Sequence, residues 1–112
     1  MLDELTKTSI NMRLEKAREC LKDAEKNLTD EAYATAANRS YYCIFHAIRS
    51  VLITIGTTFK THSANISEFR RSFIKTGIFP VEFSDFIGDA FDIRINSDYE
   101  DFYIVLKEDV SN

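Results

Sequence analysis

Turn-forming residues are scarce in this chain: three glycines and one proline in 112 residues. That scarcity excludes a sandwich or barrel of many short strands and favours long helices with short connections. Tryptophan is absent, and cysteine and histidine occur twice each, as Cys20, Cys43, His46 and His62. The cysteines have no CxxC spacing and no neighbouring Cys/His cluster, so they read as buried free thiols rather than a disulfide framework. No second ligand stands four residues from His46, so no metal and no other cofactor is expected. There is no run of about 18 apolar residues, which excludes a membrane-spanning helix. The opening Met1-Leu2-Asp3-Glu4 lacks the basic and apolar regions of a secretory leader, and the expected location is the cytoplasm. Positive charge is not in excess: the net charge is −4, so the protein as a whole is no basic nucleic-acid binder, and any such binding would be local.

What is present is an ordinary globular balance, 45% apolar and 29% charged, which argues against disorder. The length suits a single domain over residues 1–112 with one core. Nine Phe and five Tyr make that core aromatic.

Hydrophobic periodicity predicts four main helices. From Asp3 to Leu28, the residues Ile10, Leu14, Ala17, Leu21, Ala24 and Leu28 draw one apolar stripe, with a solvated charged face around it. Thr29-Asp30-Glu31 reads as the stop of this helix and the cap of a second, which runs to about Ile55 and ends before Gly56. Small residues (Ala36, Ser40, Cys43, Ala47, Ser50 and Thr54) line one side of it and admit a close neighbour helix. A third helix is expected over about His62 to Lys75, capped by Thr61 or Ser63. A fourth begins at Pro80, where a missing N–H costs nothing. Phe69, Phe73, Phe83, Phe86 and Phe91 are expected in the core, and Arg70 and Arg71 in solvent. Lys107-Glu108-Asp109 looks like the opening of a fifth helix that is missing or only begun. The fold class is therefore all-α, an antiparallel up-and-down bundle.

The second helix carries an unusual outer face. At 100° per residue, Arg39 and His46 lie within about 20° of one another, and Tyr42 and Arg49 flank them. A plain surface helix presents Lys and Glu; this one presents residue types that bind phosphate, stack on bases and move protons. Two readings stand side by side. One is an internal polar network in which Arg39 pairs with an acid such as Asp98 and His46 completes it. The other is a groove for a phosphate or nucleotide. Lys60 and His62, at the loop-to-helix junction, belong to the same candidate ligand-binding set.

Four stretches resemble the HEPN-domain family (higher eukaryotes and prokaryotes nucleotide-binding), in its small stand-alone prokaryotic branch. They are Asn38-Arg39-Ser40-Tyr41-Tyr42-Cys43-Ile44-Phe45-His46-Ala47, Phe59-Lys60-Thr61-His62-Ser63, Lys75-Thr76-Gly77-Ile78-Phe79-Pro80, and Arg94 with Ser97-Asp98-Tyr99. The resemblance implies a helical bundle that forms a homodimer and works beside a minimal nucleotidyltransferase in a toxin–antitoxin pair. It implies interaction with a nucleotide or RNA. Some members of the family are metal-independent endoribonucleases marked by an Arg and a His with four to six residues between them. Here the positions after Arg94 hold Tyr99, Glu100 and Asp101, so the acid–base group is missing from its usual place. The alternatives are accordingly a binding module, a ribonuclease using Arg94, Asp98 and Tyr99 with a degenerate motif, and a purely structural interaction protein.

Overall fold

The computed structural model describes residues 2–99, with side chains to residue 95. Four α-helices appear: α1 (Glu4–Thr29), α2 (Tyr33–Ile53), α3 (His62–Phe69) and α4 (Glu82–Tyr99). The expected third helix does not stay α-helical. It passes into a π-helical turn at Arg70–Ile74, where the Lys75 N–H donates to the Arg70 carbonyl at 2.8 Å. Proline does not open α4 itself. Pro80 precedes it, and its carbonyl accepts from the Phe83 N–H at 3.1 Å.

Capping follows the sequence only in part. Asp3 accepts from the Thr6 N–H at 2.7 Å and starts α1. Thr61 accepts from the Ala64 N–H at 3.2 Å and starts α3. Thr29-Asp30-Glu31 does not cap α2, whose first turn has no side-chain cap. These residues close α1 instead, with the Ala32 N–H on the Asn27 carbonyl at 2.8 Å and the Glu31 N–H on the Leu28 carbonyl at 3.1 Å. This is the Schellman pattern, and it places Glu31 at φ 61, a conformation that usually selects glycine.

The largest interface joins α1 and α2. Arg13 meets His46 and Cys20 lies near Cys43, so the two helices run antiparallel. Small side chains make the seam, including buried Ala17, Cys20 and Ala24 of α1 and Ala36 and Ala37 of α2. The α1 stripe departs from the expected one in its middle: Ala17 and Ala24 are buried as expected, but Cys20 is buried whereas Leu21 is 48% exposed. Both cysteines are free thiols.

The main core lies where α2, α3, the π turn and α4 converge. It contains Ile48, Leu52, Ile66, Phe69, Phe73 and Ile87, edged by Ile44, Val51, Ile74 and Phe79. Burying each such side chain stabilises the fold by roughly 1.5–3 kcal/mol before entropy is counted. Asn65, fully buried, donates to the carbonyls of Phe59 (3.0 Å) and Thr61 (2.7 Å) and so fixes the loop that delivers His62. Of the phenylalanines expected inside, Phe69 and Phe73 are buried, but Phe83, Phe86 and Phe91 are 38%, 55% and 41% exposed. Only Ile87 of the described α4 residues is fully inside, because α4 leans on the core along a narrow line. No described helix is long and apolar enough to cross a membrane.

Candidate functional site

The polar stripe of α2 forms the floor of the site. Tyr41 and Phe45, one position round the helix, are buried and support it. Arg39 is half-buried, donates to the Asn38 side-chain oxygen through Nε at 3.1 Å, and lies over the Tyr42 ring at 5.3 Å. Its near partner is thus a neighbouring amide on its own helix. The suggested partner Asp98, like Tyr99, has its side chain outside the described residues.

His46 takes its partner from α1. Arg13 approaches the His46 Nδ1 at 3.3 Å. A guanidinium can only donate, so Nδ1 is the acceptor and Nε2 carries the proton. His62, from the start of α3, reaches across to α2. Its Nδ1 lies 2.9 Å from the Tyr41 hydroxyl, and its ring rests 3.8 Å, centroid to centroid, from Phe45. From α4, Arg94 lies over Tyr41 at 4.9 Å and over Tyr42 at 5.5 Å. All four helices therefore contribute to one place. Lys60 stays exposed in the turn ahead of α3.

Electrostatics unify these groups. Burial, then the positive charges of Arg13, Lys16 and Arg49, and last His62, hold the His46 pKa below the ordinary histidine range. Burial, then Arg94 and Arg49, do the same to His62. Both rings are thus neutral at neutral pH, and among the described residues every charged neighbour acting on them is cationic. Arg49 itself lies over Phe45 at 5.8 Å and has a buried Nε with no hydrogen-bond partner among the described residues. Burial raises the Tyr41 pKa, partly opposed by Arg94, so its phenol keeps its proton. Among the described residues no three His, Cys, Asp or Glu side chains are grouped to hold a metal ion.

Sequence reasoning missed Arg13. Its signal was its position: residues 13, 17, 20 and 24 step by four, three and four, which puts an arginine in line with the small residues of the buried seam. Arg70 is also a correction. It is half-buried rather than solvated and donates to the Ser84 carbonyl at 3.2 Å, whereas Arg71 is exposed beside Glu68.

The HEPN domain model matches residues 10–112. The chain belongs to the HEPN family. Among curated proteins, a UPF0332 protein of Thermotoga maritima is 35% identical over 87% of this chain and 74% of its own length. A Methanocaldococcus jannaschii protein named "Putative toxin MJ0142" is 31% identical over 92% of this chain and 70% of its own. A second protein from that organism, "Putative toxin MJ0605", is 27% identical over 88% and 74%. No solved structure gives a significant match. Within this HEPN domain, Arg94, His46 and His62 meet around the Tyr41–Tyr42 pair, although no histidine follows Arg94 in sequence.

Proposed function

We propose that this HEPN domain is a cytoplasmic, homodimeric RNA-binding module of a toxin system, working beside a nucleotidyltransferase partner. The observation that carries the RNA reading is the charge around the two histidines. In a chain of net charge −4, the charged side chains acting on His46 among the described residues are Arg13, Lys16 and Arg49, with no carboxylate in that set. A patch of that kind invites a phosphate backbone, and the half-buried rings of Tyr42, His46 and His62 border it. The toxin setting rests on the names of the M. jannaschii relatives, and the dimer and partner rest on the family resemblance. The test is fluorescence anisotropy with a short single-stranded RNA over a salt series. Binding that weakens with salt, and weakens further in Arg49→Ala, supports the reading; equal affinity of wild type and variant would refute it.

A second reading is favoured by the convergence of Arg94 with both histidines. His46, with its proton on Nε2, is a hydrogen-bond donor to phosphate. His62 can keep a lone pair on Nε2 when its Nδ1–H faces the Tyr41 oxygen, and is the better base. It would take the proton of an RNA 2′-hydroxyl as that oxygen attacks the adjacent phosphorus. The 5′-oxygen would leave with a proton from water, and a cyclic phosphate would result. Cleavage in EDTA by wild type, lost in His62→Asn, is the expected result; an intact RNA ends this reading and leaves the binding module standing.

A further inference from the structure

A second concavity adjoins the cationic cluster on the far side of His62. It is a pocket of about 220 Å³ between α2, α3 and α4, and its walls include Tyr41, His62, Ile66, Arg70, Phe91 and Asp92. Neither the family match nor the relatives' names assign anything to it. It shares the Tyr41–His62 wall with the cationic cluster, and Arg94 of that cluster lies over the Tyr41 ring at 4.9 Å. Along α4 the residues Ile87, Phe91 and Arg94 step by four and three, so pocket and cluster lie on one continuous helix face.

The lining has the character of a base-reading site. The pocket is smaller than the roughly 300–1,000 Å³ of drug-sized ligand sites, which suits one planar ring system. Phe91, expected in the core, instead stands 41% exposed and packs at a 59° tilt on Tyr41, 5.9 Å between centroids, which leaves part of its ring for another ring to stack upon. Ile66 and Ile87 supply apolar walls. Polar groups of both kinds are added. Arg70 is anchored through one terminal nitrogen to the Ser84 carbonyl, while its buried Nε has no partner among the described residues. Asp92 brings an acceptor, and Ser63 and Ser67 bring hydroxyls that serve as either. Ser63, Ile66, Ser67 and Arg70 recur at helical spacing, so α3 and the start of the π turn present them together; π turns often mark functional sites.

We propose that this pocket receives a single nucleobase of the RNA whose backbone lies on the cationic cluster. The inference rests on the RNA-binding reading above. A single-stranded RNA can splay one base out of its stack, lay it on Phe91, and meet Arg70 and Asp92 with its polar edge. The phosphate beside that base then faces the cations across the Tyr41–His62 wall. A free nucleotide has the same chemistry, so mononucleotides serve as a second arm of the test.

The experiment compares a short single-stranded RNA with an abasic oligomer of equal length, by anisotropy. Nucleoside monophosphates are compared with ribose 5-phosphate in parallel. Wild type is expected to prefer the base-bearing oligomer by about tenfold, within the range one stacked base contributes. Ser67→Trp, made on an exposed position at the rim, fills the pocket. It is expected to remove that preference and leave affinity for the abasic oligomer unchanged. Ser67→Leu is the second variant, and a thermal melt of each establishes that it is folded. Tight mononucleotide binding would identify a free nucleotide as the occupant and overturn the RNA assignment. Equal binding of the two oligomers by wild type overturns the base pocket and leaves the cationic face intact. A preference that survives both variants moves the base elsewhere and overturns it too. If neither oligomer binds, the RNA-binding reading fails and this inference fails with it.

Discussion

Two sides of one helix behave in opposite ways. On one side of α2, Arg39, Tyr42, His46 and Arg49 gather cations and rings from α1, α3 and α4. On another, Ile44, Ala47 and Val51 floor an open apolar groove of about 400 Å³, walled by Phe79, Phe83 and Phe86. Between the two runs the buried stripe Tyr41, Phe45, Ile48 and Leu52, which steps by four, three and four. The buried stripe holds the fold. The cationic side is built at a cost, because like charges crowd two half-buried histidines. The apolar side costs little while it faces water, since half-exposed phenylalanines are ordinary singly, although a contiguous row of them marks a contact surface. Stability and charge thus occupy separate sectors of a single 21-residue helix.

That separation can be broken experimentally, most strongly at the core. Leu52→Ala removes a fully buried side chain from the junction of α2, α3 and α4 and is expected to lower unfolding free energy by about 2–5 kcal/mol. Urea denaturation measures it; a loss under about 1 kcal/mol would mean that the core is not where the burial places it. Asn65→Ala comes next. It leaves the Phe59 carbonyl without its Asn65 donor, and the Thr61 carbonyl with only the backbone N–H of residue 65, and is expected to cost about 1–3 kcal/mol. It should also loosen His62, so RNA affinity should fall with stability.

Arg49→Ala tests the other side of the comparison. RNA affinity should fall by several-fold and the slope of log affinity against log salt should shrink by about 0.7, as for one lost contact to a single strand. Stability should hold or rise, because the change relieves the crowding among Arg49, Arg13 and the histidines. A large stability loss with an unchanged salt slope would make this face structural.

The histidines give the comparison a pH dependence. Their folded pKa values lie below the unfolded value of about 6.5, so above that pH both are neutral in either state. As pH falls below about 6.5 the unfolded chain takes up protons first, and stability drops until the folded pKa values are passed. Among the described residues, the groups facing His46 are Arg13, Lys16, Arg49 and His62; those facing His62 are Arg94, Arg49 and the Tyr41 hydroxyl. A bound phosphate reverses their effect and favours imidazolium, so RNA affinity should rise over the same interval. Chemical denaturation of wild type and His46→Gln between pH 7.5 and 5.5 checks the first part, with a flatter profile expected in the variant. Anisotropy at the same pH values checks the second.

The bundle was legible because helix formation here follows local rules: few breakers, long amphipathic stretches, and a cap at Thr61. The α2 stripe was legible for the same reason, since helical spacing alone places Arg39, Tyr42, His46 and Arg49 together. What α2 meets was not. The swing of the α1 seam from Leu21 to Cys20, toward the side on which Arg13 meets His46, depends on Cys20 and the alanines packing more closely than leucines allow. Phe83, Phe86 and Phe91 match a buried helical face perfectly well by pattern, yet only Ile87 is inside, because periodicity gives a direction and says nothing about how much neighbour lies there. The π turn is similarly invisible: one extra residue in a turn leaves the apolar spacing of Phe69 and Phe73 unchanged.

The smallest effect concerns the hinge that sets the two long helices against each other. Glu31 occupies φ 61 at the end of α1, where a Cβ meets the following carbonyl oxygen, at a cost of about 1–2 kcal/mol for an ordinary residue. Its carboxylate accepts from the Tyr33 hydroxyl at 3.4 Å, a long and exposed bond that offsets little. Glu31→Gly removes the steric cost, but glycine gives up more freedom on folding, which takes back roughly 0.5–1 kcal/mol. The net expectation is a gain of under about 1 kcal/mol, read as a thermal midpoint a few degrees higher. RNA affinity should not move, because the hinge lies at the opposite end of α1 from Arg13. A lowered midpoint would mean that the Glu31–Tyr33 contact, or Tyr33's other interactions, hold the hinge more firmly than its backbone strains it.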